Sequence, residues 1–141
     1  MLNYLAAYDA TAVVMLVLDV VWLGFIAKSF YRDGIGHLMA DSPNLVAGGA
    51  FYLLYPAGVL LFAVIPAAWS GGLAAPADIP WSRAVLAGAL FGFFAYATYD
   101  LSNLATLRDW PLRLALVDIV WGTALTAASA AAGRWALGRM A

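Results

Sequence analysis

The chain has 141 residues, 65% of them hydrophobic and 11% charged, with a formal net charge of −1. Soluble domains carry about 45–50% apolar and about 25% charged residues, so a water-soluble globule is excluded and an integral membrane protein is expected. No basic excess points to nucleic acid, and with no cysteine and one histidine, His37, no disulfide and no haem or His/Cys metal site is expected.

Residues 1–18 contain no Lys or Arg, and Asp9 stands where a signal peptide would be basic. The first apolar run is therefore expected to be a retained span rather than a cleaved signal. A spanning helix needs about 20 mainly apolar residues. Four stretches qualify: Leu5 to Ala27, Leu45 to Trp69, Arg83 to Ala105 and Leu112 to Leu137. The expected fold is all-α, a single transmembrane domain of four helices over residues 1–141, with both termini on one side of the membrane. Within the second span, Pro56 lacks an N–H and its ring crowds the preceding turn. A kink near Tyr52, with a freed Tyr52 carbonyl, is expected there.

The connections differ in character. In Lys28 to Asn44, apolar Phe30, Tyr31, Ile35, Leu38 and Met39 alternate with Lys28, Arg32, Asp33, His37 and Asp41. That pattern suits a short interfacial helix broken at Gly34 and Gly36. Asp41-Ser42-Pro43-Asn44 is a stop and restart signal. Ser70 to Ser82, rich in Gly, Ala and Pro, reads as a loop, and Trp69 and Trp81 flank it as belt residues. Arg108-Asp109-Trp110-Pro111 is a tight turn, with Pro111 near the first position of the fourth helix. The side holding the first and third connections carries Lys28, Arg32, Arg108 and Arg113, against Arg83, Arg134 and Arg139 on the other. The flanks of the first helix favour the former as cytoplasmic, which would place both termini outside.

Polar residues recur at matching depths. At 1.5 Å per residue, Asp19 lies roughly 5 Å from the middle of its helix toward the cytoplasmic side. With antiparallel threading, Asp100, Asp118 and Tyr52 shift the same way. Tyr55, Tyr96, Tyr99, Asn103, Trp22 and Trp121 lie near them. A central Asp costs about 2.5–3.5 kcal/mol on insertion scales, so three must be satisfied inside the bundle. The candidate ligand-binding set is thus Asp19, Trp22, Tyr52, Tyr55, Tyr96, Tyr99, Asp100, Asn103, Asp118 and Trp121. Asp19, Asp100 and Asp118 are also the candidate catalytic groups. The plainer alternative for each is a structural hydrogen bond. Asp19-x-x-Trp22 matches Asp118-x-x-Trp121, and Tyr52-x-x-Tyr55 matches Tyr96-x-x-Tyr99. Because the order is mirrored, tandem duplication does not explain it; a shared chemical need and coincidence both remain open. Gly88-x-x-x-Gly92 is a small-residue packing face.

Leu18-Asp19-x-x-Trp22-Leu23-Gly24, Phe51-Tyr52-Leu53-Leu54-Tyr55, Tyr96-Ala97-Thr98-Tyr99-Asp100-Leu101-x-Asn103-Leu104-Ala105-Thr106-Leu107 and Asp118-x-x-Trp121-Gly122 together resemble a bacterial family of small predicted membrane proteins, a domain of unknown function. The similarity covers nearly the whole chain. Ser102 stands where Thr is expected, keeping the hydroxyl. The resemblance implies four spans and a multi-pass bacterial inner-membrane address; it carries no activity and no cofactor. The expected partners are membrane lipids, a small amphipathic ligand, and further copies of the chain or subunits of a membrane complex. Four functions compete. The first is a binding or accessory protein for a lipid or quinone, in an Asp/Tyr/Trp pocket. The second is an intramembrane enzyme using paired aspartates as general acid and base. The lipoprotein signal peptidases are likewise small four-span proteins with an Asp pair, but their Asn and Arg signature is absent here. The third is a proton or cation pathway, and the fourth a structural subunit.

Overall fold

In the computed structural model, residues 2–68 and 80–139 are described. Among them all regular structure is helical. Helix α1 is Leu2–Val21 and widens into a π-helical turn, Trp22–Ile26. Helix α2 is Lys28–Ile35, followed by a 3-10 turn, Gly36–Leu38. Helix α3, Leu45–Val59, ends in a second π-helical turn, Leu60–Val64, and the short α4, Ile65–Ala68, continues it. Helices α5, Trp81–Thr106, and α6, Leu112–Arg139, complete the chain. Four helical stretches are long and apolar enough to cross a membrane: Leu2–Ile26, Leu45–Val64, Trp81–Thr106 and Leu112–Arg139.

The turn signals act as their chemistry dictates. The Asn44 side chain caps α3, accepting from the backbone N–H of Val46 at 3.1 Å and of Ala47 at 3.0 Å. Asp109 adopts φ 59°, a left-handed conformation that short polar side chains tolerate. The Pro111 carbonyl accepts from Ala115 N–H at 3.1 Å, so proline opens α6 where its missing N–H costs nothing. The interfacial helix passes through Gly34 and breaks at Gly36 only. Trp81 opens α5 two residues before the expected Arg83 and is exposed, as a belt residue is. Trp69 and the expected loop at residues 70–79 lie outside the described residues.

Pro56 is buried within α3, and the α-helix runs through it to Val59. The departure from regular winding comes a turn later, over Leu60–Val64. The carbonyl that gains an outside donor is that of Leu53, which accepts from the Tyr8 hydroxyl at 3.0 Å. The expectation had named the Tyr52 carbonyl.

Helix α6 is the axis of the bundle, with buried residues on faces toward both α1 and α5. Close approach to α5 rests on Gly88 and Gly92. A Cβ at Gly88 would stand 2.6 Å from the Ala130 Cβ and 2.8 Å from the Thr126 carbonyl, and one at Gly92 would overlap the Gly122 carbonyl. The glycine pair is thus the packing face that its spacing implies. A fully apolar cluster of Ala7, Val59, Leu60, Ala63, Val64, Ala130 and Leu137 fills one end. At the other end Trp110, Leu114 and Ala115 pack with Phe30, Tyr31, Ile35 and Leu104. The outside is strongly apolar: Leu53, Leu54, Phe62, Leu86, Phe94 and Val120 are each more than 60% exposed. Such a surface suits lipid. The hydroxyls of Thr98, Thr106, Thr123 and Ser129 donate back to the carbonyl four residues earlier, which satisfies them without water.

Candidate functional site

All three aspartates are buried: Asp19 is 3% exposed, Asp118 8% and Asp100 0%. They come together from α1, α5 and α6. Asp19 accepts from the Trp121 indole N–H at 3.1 Å and from the Tyr52 hydroxyl at 3.2 Å. Asp118 accepts from the Tyr31 hydroxyl, which in turn accepts from the Trp22 indole N–H at 3.3 Å. The indoles of Trp22 and Trp121 stack face to face, with centroids 4.3 Å apart and planes within 7°.

This geometry accounts for the mirrored motif. Helices α1 and α6 run antiparallel, so two Asp-x-x-Trp segments on facing helices place each Asp opposite the other helix's Trp. Trp121 reaches Asp19 directly. Trp22 reaches Asp118 through the Tyr31 hydroxyl. The two indoles meet between the helices. Of the two alternatives, shared chemical need is the one the structure supports. The tyrosine pairs also cross: Tyr55 and Tyr96 meet edge to face, with ring centroids 6.2 Å apart and planes at 89°.

The π-helical turn is part of the construction. Its last carbonyl bond, from Ala27 N–H to Trp22 O at 2.7 Å, spans one residue more than an α bond. After it the chain bends at Ala27, and Tyr31 N–H bonds the Ala27 carbonyl at 3.0 Å to open α2. Helix α2 is thereby turned beneath the bundle, with Tyr31 and Ile35, one turn apart, facing inward. Burial and then the Asp118 bond push the Tyr31 phenol above its ordinary pKa, so it stays a donor at neutral pH.

Asp100 lies behind Asp118, with Trp110 beside it. Among the described residues, neither Asp100 oxygen has a hydrogen-bond partner, and the Trp110 indole N–H has none either.

Between the two apolar clusters lies a cavity of about 600 Å³. It is lined by Asp19, Tyr52, Tyr55, Tyr96, Tyr99, Asp118 and Trp121, all in the sequence-derived set, together with Leu23, Tyr31, Ile35, Phe51, Ala95, Trp110 and Leu114. Three members of the expected set do not line it. Trp22 stands behind Trp121, Asp100 stands behind Asp118, and Asn103 sits beside Tyr99 near the end of α5. Two residues that sequence reasoning left out are central. Tyr31 was placed on the apolar side of an interfacial helix, and its spacing of four from Ile35 was the signal that this side faces protein. Trp110, in the turn before Pro111, is a large aromatic that packs inward and lines the cavity. His37, Arg108 and Arg113 are exposed, and Arg113 lies over the Phe30 ring at 5.6 Å.

No curated protein and no solved structure is similar enough to the chain to count as a match. The family profile described as "Predicted membrane protein (DUF2177)" matches residues 4–135. Nearly the whole chain is covered by that match, and four helices of spanning length agree with it: the protein belongs to this family of multi-pass membrane proteins.

Proposed function

We propose that the protein binds a small amphipathic molecule in the cavity between α1, α3, α5 and α6, with α2 beneath it. One observation carries this: about 600 Å³ of space, walled mainly by aromatic and aliphatic side chains, with two carboxylates and several tyrosine hydroxyls converging on it. Ligand sites have volumes of about 300–1,000 Å³ and this mixture of apolar walls with few polar groups. The address we propose is a bacterial inner membrane, on the resemblance described above, where a membrane lipid or quinone-like molecule can enter sideways.

The test is purification in a mild detergent, followed by native mass spectrometry. The wild-type protein is expected to carry a bound small molecule. Ala95→Trp, which fills the cavity from its α5 wall, is expected to lose that molecule while keeping its unfolding temperature. Wild-type protein that carries nothing, and a variant indistinguishable from it, would overturn the proposal. Recovery in a stable complex with other subunits would instead favour a structural role.

A second reading, acid–base chemistry, is favoured by the buried Asp100 beside the cavity-lining Asp118. Paired carboxyls can exchange a proton with a bound molecule. Under that reading Asp118→Asn retains the bound molecule but no longer converts it.

A further inference from the structure

Four of the seven hydrogen-bond donors that line the cavity, on Tyr31, Tyr52, Tyr55 and Trp121, are engaged by the protein itself. The Tyr52 hydroxyl and the Trp121 indole both donate to Asp19. The Tyr31 hydroxyl donates to Asp118, and the Trp22 indole to Tyr31. The Thr126 hydroxyl donates to the Gly122 carbonyl at 2.7 Å, so in its 2.9 Å contact with Tyr55 the tyrosine is the donor. Beside the donors of Tyr96, Tyr99 and Trp110, the cavity offers the remaining lone pairs of two carboxylates and of the engaged hydroxyls. No Lys, Arg or His lines it among the described residues. Cations stand outside, at Arg113 over Phe30 for example.

An anionic headgroup, such as a phosphate, would therefore enter a space with two carboxylates and no counter-charge. A neutral carbonyl-bearing head, such as a quinone, could accept from Tyr96, Tyr99 or Trp110 but would leave both carboxylates without a counter-charge. A metal ion fits poorly too: among the described residues, no group of three or more His, Cys, Asp or Glu could hold one. Aromatic side chains line the cavity together with the carboxylates, from Tyr52, Tyr55, Tyr96, Tyr99 and Trp121. Aromatic walls around an acidic floor are the environment that stabilises an organic cation, by ring quadrupole and by charge.

Resting on the reading of this cavity as a ligand site, we infer that the bound molecule is a cationic amphiphile, whose amine or quaternary ammonium head sits between Asp19 and Asp118 and the aromatic rings. Its apolar tail would follow the aliphatic wall at Leu23 and Ile35.

The probes are an alkyltrimethylammonium and its uncharged tert-butyl isostere of equal chain length. Binding of each to protein in a sugar-based, uncharged detergent is measured by calorimetry. The cation is expected to bind roughly tenfold or more tighter than the isostere. Asp19→Asn, which keeps the shape and an acceptor for Trp121, is expected to weaken the cation roughly tenfold and leave the isostere within about twofold. Equal binding of both probes by the wild-type protein overturns the cation assignment while leaving an amphiphile site intact, and that comparison needs no variant. A preference for the cation that survives Asp19→Asn and Asp118→Asn unchanged also overturns it. If neither probe binds and Ala95→Trp changes nothing, both the inference and the binding function fail.

Discussion

At the scale of single residues, the burial of Asp19 is made tolerable by two donors on two other helices. Removing one of them tests this directly. Trp121→Phe keeps a ring to stack on Trp22 but deletes the indole N–H that Asp19 accepts. Hydrogen bonds to charged groups are worth about 1.5–3 kcal/mol, while those measured between membrane helices average about 0.6. A loss of roughly 1–2 kcal/mol is therefore expected, seen as a lower unfolding midpoint in detergent. Tyr52→Phe removes a longer bond, 3.2 Å, and should cost less. Should both variants match wild type in stability, Asp19 is satisfied by something other than these two groups.

Tyr31 offers a test at alkaline pH. Its phenol is raised above the ordinary value of 10.0 by burial and then by Asp118. The folded chain thus holds the phenolic proton more tightly than the unfolded chain does. The stability this contributes is full below pH 10, and it is lost as the pH climbs through the raised value in the folded state. Tyr31→Phe is expected to be less stable than wild type at neutral pH, and the gap should close as the pH rises above 10. A gap that stays constant through the alkaline range would mean that the ring's packing, and not its hydroxyl bond to Asp118, holds α2 in place.

At the scale of helices, the glycines separate into two kinds. Gly88 and Gly92 face α6 so closely that an added methyl meets backbone. Gly48 and Gly49 in α3 have nothing within 4 Å of an added Cβ. Replacing a helical glycine by alanine gains about 1 kcal/mol of helix propensity, whereas overpacking costs about 1–3 kcal/mol. Gly92→Ala should therefore destabilise the bundle, because the Gly122 carbonyl cannot move without shifting α6. Gly48→Ala should be neutral or stabilising, by up to about 1 kcal/mol. Unfolding measured on the two variants side by side decides it, and the opposite ranking would show that α5 and α6 do not pack at this spacing.

At the scale of the whole molecule, an even number of crossings puts both ends of the chain on one side. Single cysteines introduced at Leu2 and Arg139, both exposed, should be labelled by an impermeant maleimide from the same face. Labelling from opposite faces would exclude four spans.

The sequence by itself determined the four spans, the capped restart at Asn44, the Asp109–Pro111 turn and the shared depth of the aspartates. These are local properties: hydropathy summed over about 20 residues, turn chemistry over four, and rise per residue along a helix. Seven of the ten candidate residues line the cavity. The tertiary structure decided the rest: that Trp121 serves Asp19 while Tyr31 serves Asp118, that Asp100 and Trp22 stand one layer behind, and that Tyr31 and Trp110 join the wall. The physical reason is rotational. In water, a polar face marks the outside of a helix, so the inward face can be read from the pattern. In lipid the outside is as apolar as the core, and Leu, Val and Phe surround each of these helices. The angle at which each helix meets its neighbours, and the one-residue shift of the π-helical turn at Trp22–Ile26, are then set only by which side chains interlock.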